Sequence, residues 1–165
     1  VNEYRNGKFA GMFPEQCMDD AKYDKLKLNK QLCFPLYACA RETIKLYTPL
    51  LEKLNLTYTQ YITMMVLWEQ KALTAKELGR ILYLDSGTLT PLLKKLENKG
   101  LLTRKRSETD ERNLIVTITP AGENMRELAL HIPDAMTQCL NLEKEEIRSL
   151  YHYLYKMLER AESGR

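Results

Sequence analysis

Tyr83-Leu-Asp-Ser-Gly-Thr-Leu-Thr-Pro-Leu-Leu-Lys-Lys-Leu-Glu97 decides the fold, because it carries a helix together with its start signal. Asp85 or Ser86 supplies a side-chain cap and Gly100 a stop, so the spacing predicts a helix over about Ser86–Asn98. Pro91 falls inside it and is expected to loosen its first turns. Upstream, Thr74-Ala-Lys-Glu77 has capping-box spacing and opens a shorter helix that ends near Tyr83. Downstream lie two short runs, Leu101–Ser107 and Leu114–Thr119. In the second, Leu114, Val116 and Ile118 alternate with Ile115, Thr117 and Thr119, which is strand periodicity. The polar connector Glu108-Thr-Asp-Glu-Arg-Asn113 makes the pair a hairpin with a charged tip. Two short helices followed by a hairpin form a winged helix-turn-helix, whose second helix enters the major groove of DNA.

Outward from this centre the chain is helical. A helix over about Thr57–Gln70 precedes the lobe. Before it, Cys33, Tyr37, Ala40, Ile44, Tyr47, Leu51 and Leu54 recur at helical spacing. Pro35 is tolerated only in a first turn, which places Cys33 at or just before that helix's N-terminus, and Pro49 suggests a kink near its far end. Two helices finish the chain, about Pro120–Leu140 and Glu143–Glu162; the last gathers Ile147, Leu150, Tyr151, Leu154 and Leu158 on one face. The fold class is therefore mainly α with a small β-hairpin. The expected divisions are a polar tail or packed arm at 1–27, a first helix within 28–56, the winged lobe at 57–119 and the closing helices at 120–165.

Composition sets the outer bounds. With 165 residues, 44% apolar and 28% charged, the chain suits one globular domain with an extension and not wholesale disorder. No apolar run approaches the roughly 20 residues of a membrane helix, and no secretory leader is evident, so a soluble, cytoplasmic protein without a membrane partner is expected. The cysteines are Cys17, Cys33, Cys39 and Cys139, with no C-x-x-C pair and only His131 and His152 to add imidazole. Neither a metal site nor a cofactor is implied. In a reducing cytosol these thiols begin free, and any disulfide is an event.

The formal charge is only +3, but seven basic residues face four acidic ones between Lys94 and Arg112, so the whole excess sits there. The predicted second helix offers the hydroxyls of Ser86, Thr88 and Thr90 to base edges or phosphates and Lys94 and Lys95 to phosphates. Its N-terminus also favours an anion. Arg104 and Arg106 share one strand face and Arg112 lies at the turn, an arrangement suited to a narrow minor groove. The same pattern also fits a solvated basic hairpin on a protein-interaction module, since fold does not fix function.

The string Tyr83–Glu97, with Asp110-Glu-Arg112 and Ile118-Thr-x-x-Gly122, resembles the MarR family of bacterial transcriptional regulators. Gln31-Leu-Cys-Phe-x-Leu-Tyr37 and Leu56-Thr-Tyr-x-Gln-Tyr61 resemble its OhrR branch, which senses organic hydroperoxides. The resemblance covers roughly residues 28–160. It implies a homodimer joined through the first and the last two helices, a pseudo-palindromic double-stranded operator, and a repressor released when organic hydroperoxide oxidises Cys33. It adds Asp110 with Arg112 as the wing motif, and Tyr37, Tyr47 and Tyr58 as hydroxyls supporting the Cys33 thiolate.

Residue chemistry is compatible with this. A helix N-terminus favours a thiolate, which peroxide converts to sulfenic acid. Tyr37 is one turn from Cys33, whereas Tyr47 is roughly 21 Å further along the same helix. If Tyr47 and Tyr58 support Cys33, they come from the partner subunit, with the first helices antiparallel. Cys39 points to a nearly opposite face and cannot bridge Cys33 without unwinding the helix. Some OhrR-type sensors close an intersubunit disulfide through a second cysteine in the region of Cys139, which shares a face with Ile132, Met136 and Leu140; otherwise Cys33 ends as a mixed disulfide with a small thiol. Plain core packing explains the same cysteines and tyrosines without sensing. A repressor released by a small aromatic ligand and a thiol peroxidase using Cys33 are the competing functions.

Overall fold

The computed structural model describes residues 21–108 and 110–163; most of the expected tail, with Cys17, lies outside them. The described chain divides between Glu42 and Thr43 into two units. In the first, the described chain makes 3-10 turns at Ala21–Leu26 and Leu28–Lys30 and enters α1 (Cys33–Glu52), the helix that leads into the second. Cys33 is its first residue, as Pro35 required, and Pro49 lies within its last turns.

In the second unit, capping residues set the helix starts. α2 (Tyr58–Gln70) begins where the Thr57 hydroxyl accepts the Gln60 N–H and the Gln60 side chain accepts the Thr57 N–H in return. α3 (Ala75–Leu82) begins with the same reciprocal pair, Thr74 and Glu77. α4 (Ser86–Asn98) is capped by Asp85, and its helical assignment runs unbroken through Pro91. The hairpin strands are β2 (Leu102–Arg106) and β3 (Leu114–Ile118). A further strand, β1 (Ala72–Thr74), pairs antiparallel on the other side of β3, giving the order β1-β3-β2. Val116 thus sits between Leu73 and Arg104. β1 was not foreseen, because so short a strand shows no alternation to read.

The expected helix over Pro120–Leu140 is two helices, α5 (Pro120–Ala129) and α6 (Ile132–Leu140). Pro133 explains the break: without an N–H it is accommodated in a first turn, and so α6 starts anew beside it. α7 (Lys144–Ser163) closes the chain.

The core of this unit gathers Met64 and Leu67 of α2, Leu78 of α3, Leu93 and Leu96 of α4, Val116 of β3, and Ile132 and Met136 of α6. Gly122 locks α5 against it. A Cβ there would stand 2.2 Å from the Leu101 carbonyl oxygen and 2.8 Å from Ile118, so only glycine permits this approach. The Gly122 carbonyl also accepts the indole N–H of Trp68 at 2.8 Å.

Candidate nucleic-acid interface and thiol site

α4 divides cleanly. Leu89, Leu92, Leu93 and Leu96 are buried, while Ser86, Thr88, Thr90, Lys94 and Lys95 are exposed on the remaining surface. The exposed hydroxyls are fixed locally. Thr90 donates to the Ser86 carbonyl at 2.7 Å, and Thr88 donates to Asp85 Oδ2 at 2.8 Å. Asp85 Oδ1 also accepts the Thr88 N–H at 2.9 Å, and these bonds hold the Asp85 carboxyl below its usual range. The positive end of the α4 dipole therefore already faces a carboxylate. Asp85 thus answers part of the helix dipole at the end the sequence offers to an anion, and Lys94 and Lys95 stand exposed further along α4.

The hairpin separates its arginines in a way strand alternation did not show. Arg104 turns back onto the recognition helix, donating to Glu97 Oε2 through Nη2 at 2.6 Å and Nε at 3.0 Å. Its backbone N–H donates to the other Glu97 oxygen at 3.0 Å. The pair holds the Glu97 carboxyl below the ordinary glutamate range. Arg104 is thus a brace between wing and helix, not an open hand. Arg106 is exposed and donates to the Glu111 carbonyl. At the tip, Asp110 accepts the Arg112 N–H at 3.1 Å and the Asn113 side-chain amide at 3.2 Å, which folds the turn and leaves Arg112 93% exposed.

Cys33, Cys39 and Cys139 are all free and exposed, Cys33 opening α1 and Cys139 near the end of α6. Tyr37 pairs with Arg41, one turn further along α1. Its phenol oxygen accepts Arg41 Nη1 at 2.7 Å, with the guanidinium carbon 5.6 Å from the ring centre. That bond raises the Arg41 pKa above its usual value.

Tyr47 and Tyr58 meet with ring centres 4.8 Å apart. Tyr61 extends the cluster, 6.0 Å from Tyr47 and 6.1 Å from Trp68. Burial raises the pKa of all three phenols, keeping each hydroxyl protonated and able to donate. Tyr61 and Trp68 had not been singled out; Tyr61 lies in the quoted Leu56–Tyr61 string, at helical spacing from Tyr58.

α7 has no buried residue, although Leu150, Tyr151, Leu154 and Leu158 line one of its faces. Among the described residues no helix is long and apolar enough to cross a membrane, and no cluster of His, Cys, Asp or Glu could hold a metal ion.

A family profile described as "Transcriptional regulator SarA/Rot" matches residues 45–129. The organic hydroperoxide resistance transcriptional regulator of Bacillus subtilis is 49% identical over 138 residues, which cover 84% of this chain and 94% of that protein. The chain belongs to the MarR-type winged-helix transcriptional regulators. It is a regulator and not an enzyme, which removes the thiol peroxidase alternative. A second relative, the HTH-type transcriptional regulator SarZ of Staphylococcus haemolyticus, is 43% identical over 131 residues, 77% of this chain and 89% of that one. Among solved structures, AbfR of Staphylococcus epidermidis aligns with TM-score 0.70 and 34% identity over 87% of this chain and 99% of AbfR. AbfR has been solved reduced on DNA, overoxidised on DNA and with a disulfide formed, at TM-scores of 0.69, 0.68 and 0.57.

Proposed function

We propose that this MarR-type regulator is a redox-sensing repressor. It binds a duplex operator as a homodimer while Cys33 is reduced and leaves it once an organic hydroperoxide has oxidised Cys33. The observation that carries this reading is an exposed thiol at the first residue of a long helix, in a chain whose partly buried phenol cluster holds protonated hydroxyls. The first turn of α1 offers backbone N–H groups to an anion on that sulfur. Tyr47 and Tyr58 of the partner subunit donate to it, since within one helix Tyr47 stands too far along to do so.

The chemistry balances with the hydroperoxide as oxidant. The Cys33 thiolate attacks the terminal peroxide oxygen; an S–O bond forms, the O–O bond breaks, and the alkoxide leaves and takes a proton to become an alcohol. A thiolate, from the partner subunit's Cys139 or from a small thiol, then attacks the Cys33 sulfur. An S–S bond forms, the S–O bond breaks, and the sulfenic oxygen departs as hydroxide, which takes a proton from solvent to become water. AbfR is found on DNA both reduced and overoxidised, and separately as a disulfide. By analogy, we assign release to disulfide closure and not to oxygen on one sulfur. Closure moves the dimer helices α1, α6 and α7, and the recognition helices α4 lose the separation that adjacent major grooves require. Ser86, Thr88, Thr90, Lys94, Lys95, Arg106 and Arg112 face the DNA; Asp110 and Arg104 position the wing.

The test is a gel shift on the protein's own upstream region, with reduced protein, cumene-hydroperoxide-treated protein and the Cys33→Ser and Cys139→Ser variants. Treated wild type releases the DNA, Cys33→Ser stays bound, and wild type but not Cys139→Ser runs as a covalent dimer without reductant. Release of Cys33→Ser by peroxide would overturn the sensor.

A further inference from the structure

The turn between α3 and α4 contains a backbone conformation its sequence does not invite. Tyr83 caps α3 with φ 55° and ψ 35°, the left-handed region. Glycine or asparagine is usual there, and a bulky side chain is disfavoured. Such a residue persists where surrounding contacts over-determine it. Two contacts do so. The Leu84 N–H donates to the Gly79 carbonyl at 2.9 Å, closing the turn. The Tyr83 phenol donates to Glu162 Oε1 of α7 at 2.6 Å. A hydroxyl on a carboxylate at this length belongs to the strong, charge-assisted class of hydrogen bond.

The location gives the bond its meaning. Tyr83 lies two residues before Asp85, the cap of the recognition helix. Glu162 lies in the last turns of α7, a helix with no buried residue. Tyr83, Glu162, Ser86 and Thr90 line one groove of about 950 Å³. The Tyr83–Glu162 bond thus joins the closing helix to the entry of the DNA-reading helix.

We propose that Tyr83 and Glu162 are a positioning pair that fixes α4 relative to α7 and so sets the half-site spacing the dimer accepts. This rests on the reading of the protein as a dimeric operator-binding regulator. One added base pair moves a half-site by about 3.4 Å and turns it by roughly 34°. A rigidly tied pair of recognition helices rejects such a shift, and a loosened pair tolerates it.

The experiment measures affinity of the reduced full-length protein by fluorescence anisotropy. The probes are its upstream operator, the same operator with one base pair added or removed between half-sites, and an isolated half-site. Wild type prefers the natural spacing. Tyr83→Phe and Glu162→Gln each reduce that preference at least about fivefold while half-site affinity is unchanged. The double variant falls no further than either single one, because the residues act as one unit. Unaltered spacing preference in both variants, or an equal loss on the half-site, overturns the pair. Failure of wild type to bind the upstream region at any spacing would instead remove the regulator reading beneath it.

Discussion

Glu97 and Arg104 show how far a single side chain shifts a functional reading. Alternation places Arg104 with Arg106 on one strand face, yet of the two only Arg106 is exposed. The partner that captures Arg104 lies on the preceding helix, and nothing in strand periodicity reveals that β2 folds back beneath it. The consequence is a pH dependence. The Glu97 carboxyl sits below its ordinary value of 4.5, so the brace contributes stability fully above that pH and loses it as pH falls through the lower folded value. The melting-temperature difference between wild type and Glu97→Gln is therefore greatest at pH 7 and narrows as the pH is lowered below 4.5 and through the depressed folded value, as calorimetry across that range would show. Tyr37 repeats the lesson: its spacing to Cys33 was legible, but Arg41 stands at the same spacing on the other side and takes the phenol oxygen.

Elements were read best where a cap or a breaker announces them. Thr57, Thr74 and Asp85 each cap a helix, and Gly100, with φ 71°, ends the turn after α4. The break between α5 and α6 was legible in Pro133 but was overridden by an apolar period that continues across it. The seating of α5 depends on Gly122, which appeared in the sequence only as part of a motif. Gly122→Ala forces a methyl group against the Leu101 carbonyl and costs about 1–3 kcal/mol or more, measured as a lower midpoint of urea unfolding. Retention of the wild-type midpoint would show that α5 is not held at this contact.

At the scale of the whole molecule, the sequence showed a sticky helix but not its mate. Ile147, Leu150, Tyr151, Leu154 and Leu158 declare an apolar face by their spacing, and α7 indeed carries that face without burying any of it. A second copy is the occupant the proposed dimer supplies. Leu154→Asp places a charge in that seam, so sedimentation should find monomer where wild type is dimer, and operator affinity should fall with it. An unchanged dimer would move the interface elsewhere.

The chain has a single tryptophan, and Trp68 stands one ring away from Tyr61, which in turn touches Tyr47. Its indole is buried and bonded to the first turn of α5. If the phenols lose their sulfur partner on oxidation, the disturbance is one aromatic neighbour from the molecule's own fluorophore. Peroxide should then change the emission of wild type and leave Cys33→Ser dark to the treatment, which would make the repressor an unlabelled optical gauge of its own oxidation state.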